Sequence, residues 1–229
     1  NTYVSPREDL TATKEWMPAD LLDEYKVPVT FQLYRYTTDI ANSESVGEAV
    51  EISAPDWNFT WTGLATHDAS GNAYTYYVKE VGEVDGTIVL DGNTFAVTYD
   101  QPTLTVTNTY VSPREDLTAT KEWMPVNLDP SLKEAVTLQL WRKIAGGQDE
   151  LVATGEVDGE VDDPCSATGC EETPWTYTWY DMPTHDENGY EYSYWVDEEA
   201  VPANFVKSLS GMTVTKTYKS PTTKRTGTK

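Results

Sequence analysis

The chain has 229 residues, with 38 acidic against 16 basic side chains and a formal net charge of −22. A surface this acidic repels nucleic acid and anionic membranes, so neither is expected as a partner. No apolar run approaches the roughly 18 residues that cross a bilayer, and we find no signal peptide and no sorting motif of the LPxTG kind. The length suits two domains of about a hundred residues, and the 15 Tyr and 8 Trp favour strands over helices.

An internal repeat organises the chain. The segment NTYVSPREDLTATKEWMP at 1–18 returns unchanged at 108–125. The repeat predicts the end of a preceding repeat with its linker at 1–6, a first domain at 7–110, a short linker at 111–116, a second domain at 117–219 and a polar tail at 220–229. We therefore expect a fragment of a longer, rod-like array whose partners are neighbouring repeats of the same protein.

Alternating polar and apolar residues predict strands in both domains. Leu10, Ala12, Lys14 and Trp16 share one face of the first strand. The later candidate strands of the first domain lie at 27–35, 57–61, 74–80 and 104–110, with counterparts such as 135–142 and 175–179 in the second. Turn residues separate them, and no helical period is convincing. The pattern predicts an all-β chain of two antiparallel β-sandwiches.

Three polar side chains interrupt the apolar faces of the first domain. They are Lys14 on the first strand, Glu80 at the end of a late strand and Asn108 on the last strand. One interpretation is a buried ion pair with a hydrogen-bonded amide.

The alternative interpretation is a reaction between the same three groups. Burial favours a neutral amine and a protonated acid. Neutral Lys14 is then a nucleophile toward the Asn108 side-chain carbonyl. Glu80 would donate a hydrogen bond to that carbonyl and pass a proton to the departing ammonia. The product would be an isopeptide bond between the first and last strands, formed once.

The frame TKEW, FQLYR, WNFTWTGL, YTYYVKE and LTVTNTY resembles the CnaB family, the B-repeat domains of Gram-positive surface adhesins and pilins. The resemblance covers nearly the whole of both units. It implies immunoglobulin-like sandwiches and an autocatalytic Lys–Asn isopeptide bond, with Lys14, Glu80 and Asn108 at the matching positions.

The second unit departs from this pattern at one position. Lys121 and Glu198 match the lysine and the acid, but the closing strand reads MTVTKTY and places Lys216 where the first unit has Asn108. Lysine has no carbonyl to attack, so we expect this degenerate site to form no cross-link and Glu198 to be ionised and salt-bridged. Asn204 is a remote alternative amide that nothing in its spacing favours.

Cys165 and Cys170 suggest a local disulfide that closes a surface loop in an oxidising, extracellular setting. A metal site is the alternative, but no further Cys or His ligand lies nearby. His67 and His185 fit capped turns better than a site. The acidic run at 156–164 lacks the spacing of a calcium loop. We expect no metal and no cofactor.

The sequence favours a structural stalk module of an extracellular, cell wall-attached adhesin or pilin. The rival hypothesis is a binding module that recognises a host matrix protein or a glycan through exposed aromatic residues. Four tryptophans that alternate with polar residues suit core packing better than a sugar platform: Trp16, Trp61, Trp123 and Trp179. No constellation for a turnover enzyme is present.

Overall fold

The structure, a computed structural model, describes residues 3–159 and 175–220. The chain divides into two compact units, and the main division lies between Pro113 and Arg114. The predicted Cys165–Cys170 disulfide, most of the acidic run and nearly all of the polar tail lie outside the described residues. The helices of the described part are three 3₁₀ turns, at Asp23–Tyr25, Ile40–Asn42 and Pro130–Leu132. None of them has the length or the apolar character to cross a membrane.

Domain 1 is a sandwich of two sheets. Its strands are β1 (Arg7–Met17), β2 (Val29–Tyr36), β3 (Glu44–Ser45), β4 (Val50–Ile52), β5 (Asn58–Ala65), β6 (Thr75–Glu80), β7 (Thr87–Leu90), β8 (Asn93–Asp100) and β9 (Thr105–Val111). One sheet has the order β5-β1-β9-β8-β7. In the other, β2 pairs with β3 and β4 and also with β6.

Domain 2 repeats this plan with seven strands among its described residues, 114–159 and 175–220. They are β10 (Arg114–Met124), β11 (Val136–Ile144), β12 (Glu150–Val157), β13 (Thr176–Pro183), β14 (Tyr192–Glu198), β15 (Phe205–Ser210) and β16 (Thr213–Tyr218). The two sheets have the orders β13-β10-β16-β15 and β12-β11-β14. The all-β prediction is confirmed for both domains.

The first and last strands of each domain lie side by side and run parallel. In domain 1, β1 pairs with β9 so that Trp16 lies opposite Asn108. In domain 2, β10 pairs with β16 in the same register, and Trp123 lies opposite Lys216. The other strand pairs of the described residues are antiparallel. A residue on the first strand therefore has a fixed neighbour on the last strand in each domain.

The core of each domain consists of the inward-facing residues, which alternate with outward-facing ones along each strand. Phe31, Leu33, Phe95 and Val106 are fully buried in domain 1. Leu138, Leu140, Val196 and Val214 are fully buried in domain 2. Trp16, Trp61, Trp123 and Trp179 are also buried, so the core interpretation is confirmed and these four rings cannot form a sugar platform.

Several strands were not predicted from the sequence. β8 and β15 each pair with the last strand of their domain, and β12 pairs with β11. The first two residues of the acidic run, Glu156 and Val157, belong to β12. The strands predicted at 57–61 and 175–179 begin one residue too early. Trp57 and Trp175 lie just before β5 and β13, and their backbone is in the left-handed region, with φ of 50° and 76°.

Position 155 on β12 requires a glycine, because an aromatic ring lies where a side chain would begin. A Cβ atom at this position would lie 2.5 Å from carbon atoms of the Tyr177 ring. Real side chains do not approach that closely, so any substitution must displace the ring or the strand. The glycine thus lets β13 pack its tyrosine directly on β12.

We expect Gly155→Ala to lower the free energy of unfolding of domain 2 by about 1–3 kcal/mol, because the added methyl group overpacks the contact with Tyr177. Urea unfolding of the full chain, followed by hydrogen exchange of domain 2 peptides, measures the loss. Tyr177→Ala removes the obstacle, so the cost of Gly155→Ala should be smaller in that background. An equal cost in both backgrounds would show that the ring is not the cause.

Candidate functional site

Lys14 lies in the core of domain 1 because it follows the inward-facing alternation of β1. Its neighbours on that face, Ala12 and Trp16, are buried, and its own side chain has no exposed area. The Lys14 backbone N–H donates to the Trp57 carbonyl at 2.7 Å. The side-chain Nζ lies 4.5 Å from the centre of the Trp16 ring. The strand thus holds a lysine amine in an aromatic, water-free environment.

Glu80 reaches the same point from the facing sheet. It is the last residue of β6, where it pairs with Phe31, and its side chain is fully buried. Its backbone N–H donates to the Tyr99 hydroxyl at 3.1 Å, which ties the end of β6 to β8 of the other sheet. Asn108 on β9 is fully buried beside β1. The amine and the amide therefore lie on neighbouring strands, and the acid contacts both across the sandwich.

The three side chains are in direct contact. Lys14 Nζ is 3.5 Å from Glu80 Oε2 and donates to the Glu15 carbonyl at 3.2 Å. Asn108 Nδ2 donates to Glu80 Oε1 at 3.0 Å. The Asn108 Oδ1 atom is buried and has no hydrogen-bond partner among the described residues. The structure thus brings together all three residues that the sequence singled out.

The orientation of the amide differs from our expectation. We expected Glu80 to face the carbonyl oxygen of Asn108, whereas it faces the amide nitrogen. In this orientation Glu80 Oε1 accepts a hydrogen bond from the amide, as a carboxylate oxygen without a proton does. A half-turn about the Cβ–Cγ bond of Asn108 exchanges the two atoms and suits a protonated Glu80.

Burial shifts both ionisable groups toward their neutral forms, as predicted. Loss of water lowers the pKa of Lys14 to about 8, although the Glu80 charge opposes this. Loss of water also raises the pKa of Glu80, against the opposing effects of Lys14 and Asn108. At pH 7 about a tenth of a lysine with a pKa near 8 is neutral, compared with about one in three thousand for an ordinary lysine.

Domain 2 has the same lysine and acid at the equivalent positions. Lys121 Nζ is 3.6 Å from Glu198 Oε2 and donates to the Glu122 carbonyl at 3.1 Å. Burial lowers the pKa of Lys121 to about 8, Glu198 opposes this, and the Lys216 charge lowers it further. Lys216 forms an ion pair with Glu198 Oε1. The amines of Lys121 and Lys216 therefore both contact the one carboxyl group of Glu198, which is the arrangement that a shared salt bridge requires.

The residues that fix the acid were not singled out from the sequence, and they differ between the domains. Leu209 of β15 occupies the position that Tyr99 occupies in β8. Leu209 pairs with Val214, and Tyr99 pairs with the equivalent residue Val106. Glu198 instead donates its backbone N–H to Asp197 Oδ1 at 2.6 Å. Tyr99 does alternate with Phe95 and Val97 in the sequence, which is the pattern that reveals its inward side.

The contacts around His67 are those of a capped turn. Asp68 caps the turn after His67, because its carboxylate accepts from the backbone N–H groups of Ser70 and Asn72 at 2.8 Å each. His67 Nδ1 contacts the Thr66 hydroxyl at 2.8 Å. Within 3–159 and 175–220, no three His, Cys, Asp or Glu side chains are grouped so that they could hold a metal ion.

Comparison with known families gives two matches along the chain. The family model for the Cna protein B-type domain matches residues 10–109 and 117–217. The chain belongs to the Cna B-type domain family. The resemblance inferred from the sequence is thereby confirmed. No curated protein sequence matches the chain.

One solved structure of Cna B repeats agrees with this fold, and two others align with most of this chain at low TM-scores. Two B repeat units (B1B2) of the collagen binding protein Cna of Staphylococcus aureus are 24% identical, with a TM-score of 0.57 over 95% of this chain and 51% of that chain. The present chain thus spans about half the length of that structure. A single B1 unit of the same protein is 18% identical over 93% of this chain and 100% of that one, with a TM-score of 0.35. The pilus adhesin SpaC of Lactobacillus rhamnosus GG is 16% identical over 90% of this chain and 21% of that chain, with a TM-score of 0.28.

The buried lysine of the second B-type domain predicts a pH dependence. The pKa of Lys121 is about 8 in the folded domain and 10.5 in an ordinary lysine. Between pH 8 and pH 10.5 the unfolded chain binds more protons at this lysine than the folded domain does. The free energy of unfolding of domain 2 should therefore rise as the pH rises from 8 to 10.5. The whole window is worth on the order of 3 kcal/mol. Urea unfolding of the full chain at several pH values, followed by hydrogen exchange of β10 and β16 peptides, measures the slope.

Lys121→Met is the control, because it keeps the length of the side chain and removes the titrating amine. The variant should retain the Lys216–Glu198 ion pair and lose the rise in stability above pH 8. An unchanged slope in this variant would assign the pH dependence to another group.

Proposed function

We propose that the chain is a structural stalk module of a Gram-positive cell-surface protein, and that its first domain is closed by an isopeptide bond between Lys14 and Asn108. The observation that carries the proposal is the buried Lys14–Glu80–Asn108 triad, which spans the first strand, the last strand and the facing sheet. Membership of the Cna B-type family supports a structural repeat. The domains extend over 7–110 and 117–219, and neighbouring repeats are their partners outside the cell.

The reaction is an exchange of one amide for another. The neutral Lys14 amine attacks the Cγ atom of Asn108, and the new Nζ–Cγ bond forms as the Cγ–Nδ2 bond breaks. The amine gives up a proton, and the Asn108 nitrogen leaves as ammonia with that proton. No external oxidant or cofactor is required, because a primary amine and a primary amide give a secondary amide and ammonia.

Glu80 serves the two stages of this exchange. When protonated, it can donate to the carbonyl oxygen of Asn108 and stabilise the negative charge that develops there. It then passes a proton to the leaving nitrogen, and the contact between Asn108 Nδ2 and Glu80 Oε1 at 3.0 Å is the distance for that transfer. Lys14, Trp16 and Trp57 also line part of a pocket of about 410 Å³ at the surface of domain 1.

The fold supplies the rate that free amides lack. Parallel pairing places the strand of Lys14 beside that of Asn108, so the reactants are already associated. Intramolecular reactants held in this way behave as if present at very high effective concentration, on the order of 10⁵ M or more. Burial contributes the neutral amine. The triad therefore reacts once in each folded chain, and the domain is not a turnover enzyme.

Domain 2 remains closed without a covalent bond. Lys216 takes the place of the amide, and it offers no carbonyl carbon to Lys121. Its first and last strands are instead bridged through Glu198, which pairs with Lys121 of β10 and Lys216 of β16. The proposed stalk thus alternates a cross-linked domain with an ion-paired one. Recognition of a host ligand gains no support from the four tryptophans first considered, because all are in the core.

Intact mass under denaturing and reducing conditions tests the bond. The chain should be lighter than its sequence by one ammonia, because only domain 1 has an amide opposite its lysine. Asn108→Ala should abolish the deficit, and a digest of the wild-type chain should contain one peptide pair joined through Lys14 and Asn108. A full-length mass with no deficit would contradict the proposal.

The bond should also stabilise domain 1 against unfolding. It closes a loop of about 90 residues, and a cross-link of that size constrains the unfolded chain by about 4–5 kcal/mol. Glu80→Gln keeps the shape of the acid but removes its proton transfer, so the variant should retain its ammonia and unfold at lower urea concentration. Hydrogen exchange of β1 and β9 peptides follows the transition.

Glu80→Gln in the Asn108→Ala background is the matched control, because it removes the same buried acid from the same domain where no bond can form. The additional loss of stability caused by Glu80→Gln in the chain that keeps Asn108 measures the cross-link. Equal losses in the two backgrounds would show that the charge alone matters.

A further inference from the structure

The reaction site proposed for domain 1 has a nearly complete copy in domain 2. β1 and β10 have identical sequences, and each pairs in parallel with the last strand in the same register. Lys14 and Lys121 occupy the same place in this register, opposite Val106 and Val214. Asn108 and Lys216 likewise lie opposite Trp16 and Trp123.

The amine and the acid of domain 2 also keep the geometry of domain 1. The Nζ–Oε2 distance is 3.5 Å for Lys14 with Glu80 and 3.6 Å for Lys121 with Glu198. Each Nζ lies over the adjacent tryptophan ring, at 4.5 Å in domain 1 and 4.4 Å in domain 2. Both lysines and both acids are buried. Two of the three reacting groups are therefore in place in domain 2.

The surroundings differ in ways that leave these groups in position. Lys207 of β15 pairs with Lys216, where Val97 of β8 pairs with Asn108. The Lys207 amine contacts Asp197 and the backbone carbonyl of Glu198, so it lies at the edge of the cluster and helps to hold the acid. The Leu209 side chain cannot replace the Tyr99 hydroxyl, but Asp197 accepts the Glu198 N–H in its stead.

We propose that domain 2 is a latent isopeptide domain, in which Lys121 and Glu198 are arranged for the reaction and Lys216 alone withholds it. The inference rests on the function proposed for domain 1. An amide at position 216 would lie beside Lys121 as Asn108 lies beside Lys14. It would also remove one of two positive charges that share a single carboxylate. Glu198 and Lys216 also line part of a pocket of about 310 Å³.

The expected step in the variant balances as in domain 1. The Lys121 amine would form a bond to the side-chain carbonyl carbon introduced at position 216. The bond from that carbon to its amide nitrogen would break, and one ammonia would leave with the proton from the amine. Glu198 would transfer the proton, as proposed for Glu80.

Lys216→Asn in the full 229-residue chain tests the inference. Its intact mass should be lower than its sequence mass by two ammonias, whereas the wild type loses one. A digest should contain a new peptide pair joined through Lys121 and position 216. The double variant Lys216→Asn with Glu198→Gln should lose one ammonia only, because the acid is missing. Lys216→Leu, which removes the charge without adding an amide, should also lose only one.

The double variant Asn108→Ala with Lys216→Asn separates the two proposals. It should lose one ammonia, and the joined peptides should come from domain 2. If a Lys216→Asn chain loses ammonia from domain 1 alone, the latent site is overturned and the proposed function stands. If no chain loses ammonia from either domain, both proposals are overturned. Hydrogen exchange of β16 checks that domain 2 folds; lost protection in Lys216→Asn would also overturn the inference, since it requires the fold to be kept.

Discussion

The contact between a buried lysine amine and a buried carboxyl group, made across the two sheets, is the interaction on which each domain depends. An unpaired charge in this core would cost several kcal/mol, so Lys14 and Glu80 must face one another for the sandwich to close. The same requirement applies to Lys121 and Glu198. The pairing aligns β1 with β6 and β10 with β14, and the last strand of each domain lies beside the buried lysine. Stability and the proposed chemistry thus depend on one arrangement.

The chemistry differs between domains because of what completes the pair. In domain 1 a neutral amide occupies the third position and supplies an electrophile, and the cluster carries no excess charge. In domain 2 a second ammonium occupies it, so the carboxylate is shared by two cations and lowers their mutual repulsion. One side chain therefore separates a cluster that contains an amide carbonyl from one that contains a second amine. The folds around them remain alike in strand order near the site and in register.

Much of the site follows from periodicity alone. Lys14, Glu80 and Asn108 each occur in step with apolar neighbours, and a strand has only two faces, so their burial follows once the strands are recognised. The orientation of the Asn108 amide does not follow, since it depends on the protonation of Glu80. The contact of Tyr99 with Glu80 depends on which strands become neighbours, which local pattern does not reveal. The strand starts predicted at Trp57 and Trp175 were one residue too early, because a left-handed backbone is uncommon at residues with large side chains.

The parallel pairing of β1 with β9 has a mechanical consequence for a chain held at both ends. Tension would pull the start of the first strand and the end of the last strand in opposite directions along their common axis. The backbone hydrogen bonds between them would then be loaded together in shear, rather than opened one at a time as in a zipper. In domain 2, where β10 and β16 have the same arrangement, this shear resistance and the shared carboxylate would bear the load without a covalent tie. If the proposed bond closes domain 1, domain 2 would yield and re-form under a load that leaves domain 1 at a fixed length, and it would act as a reversible shock absorber.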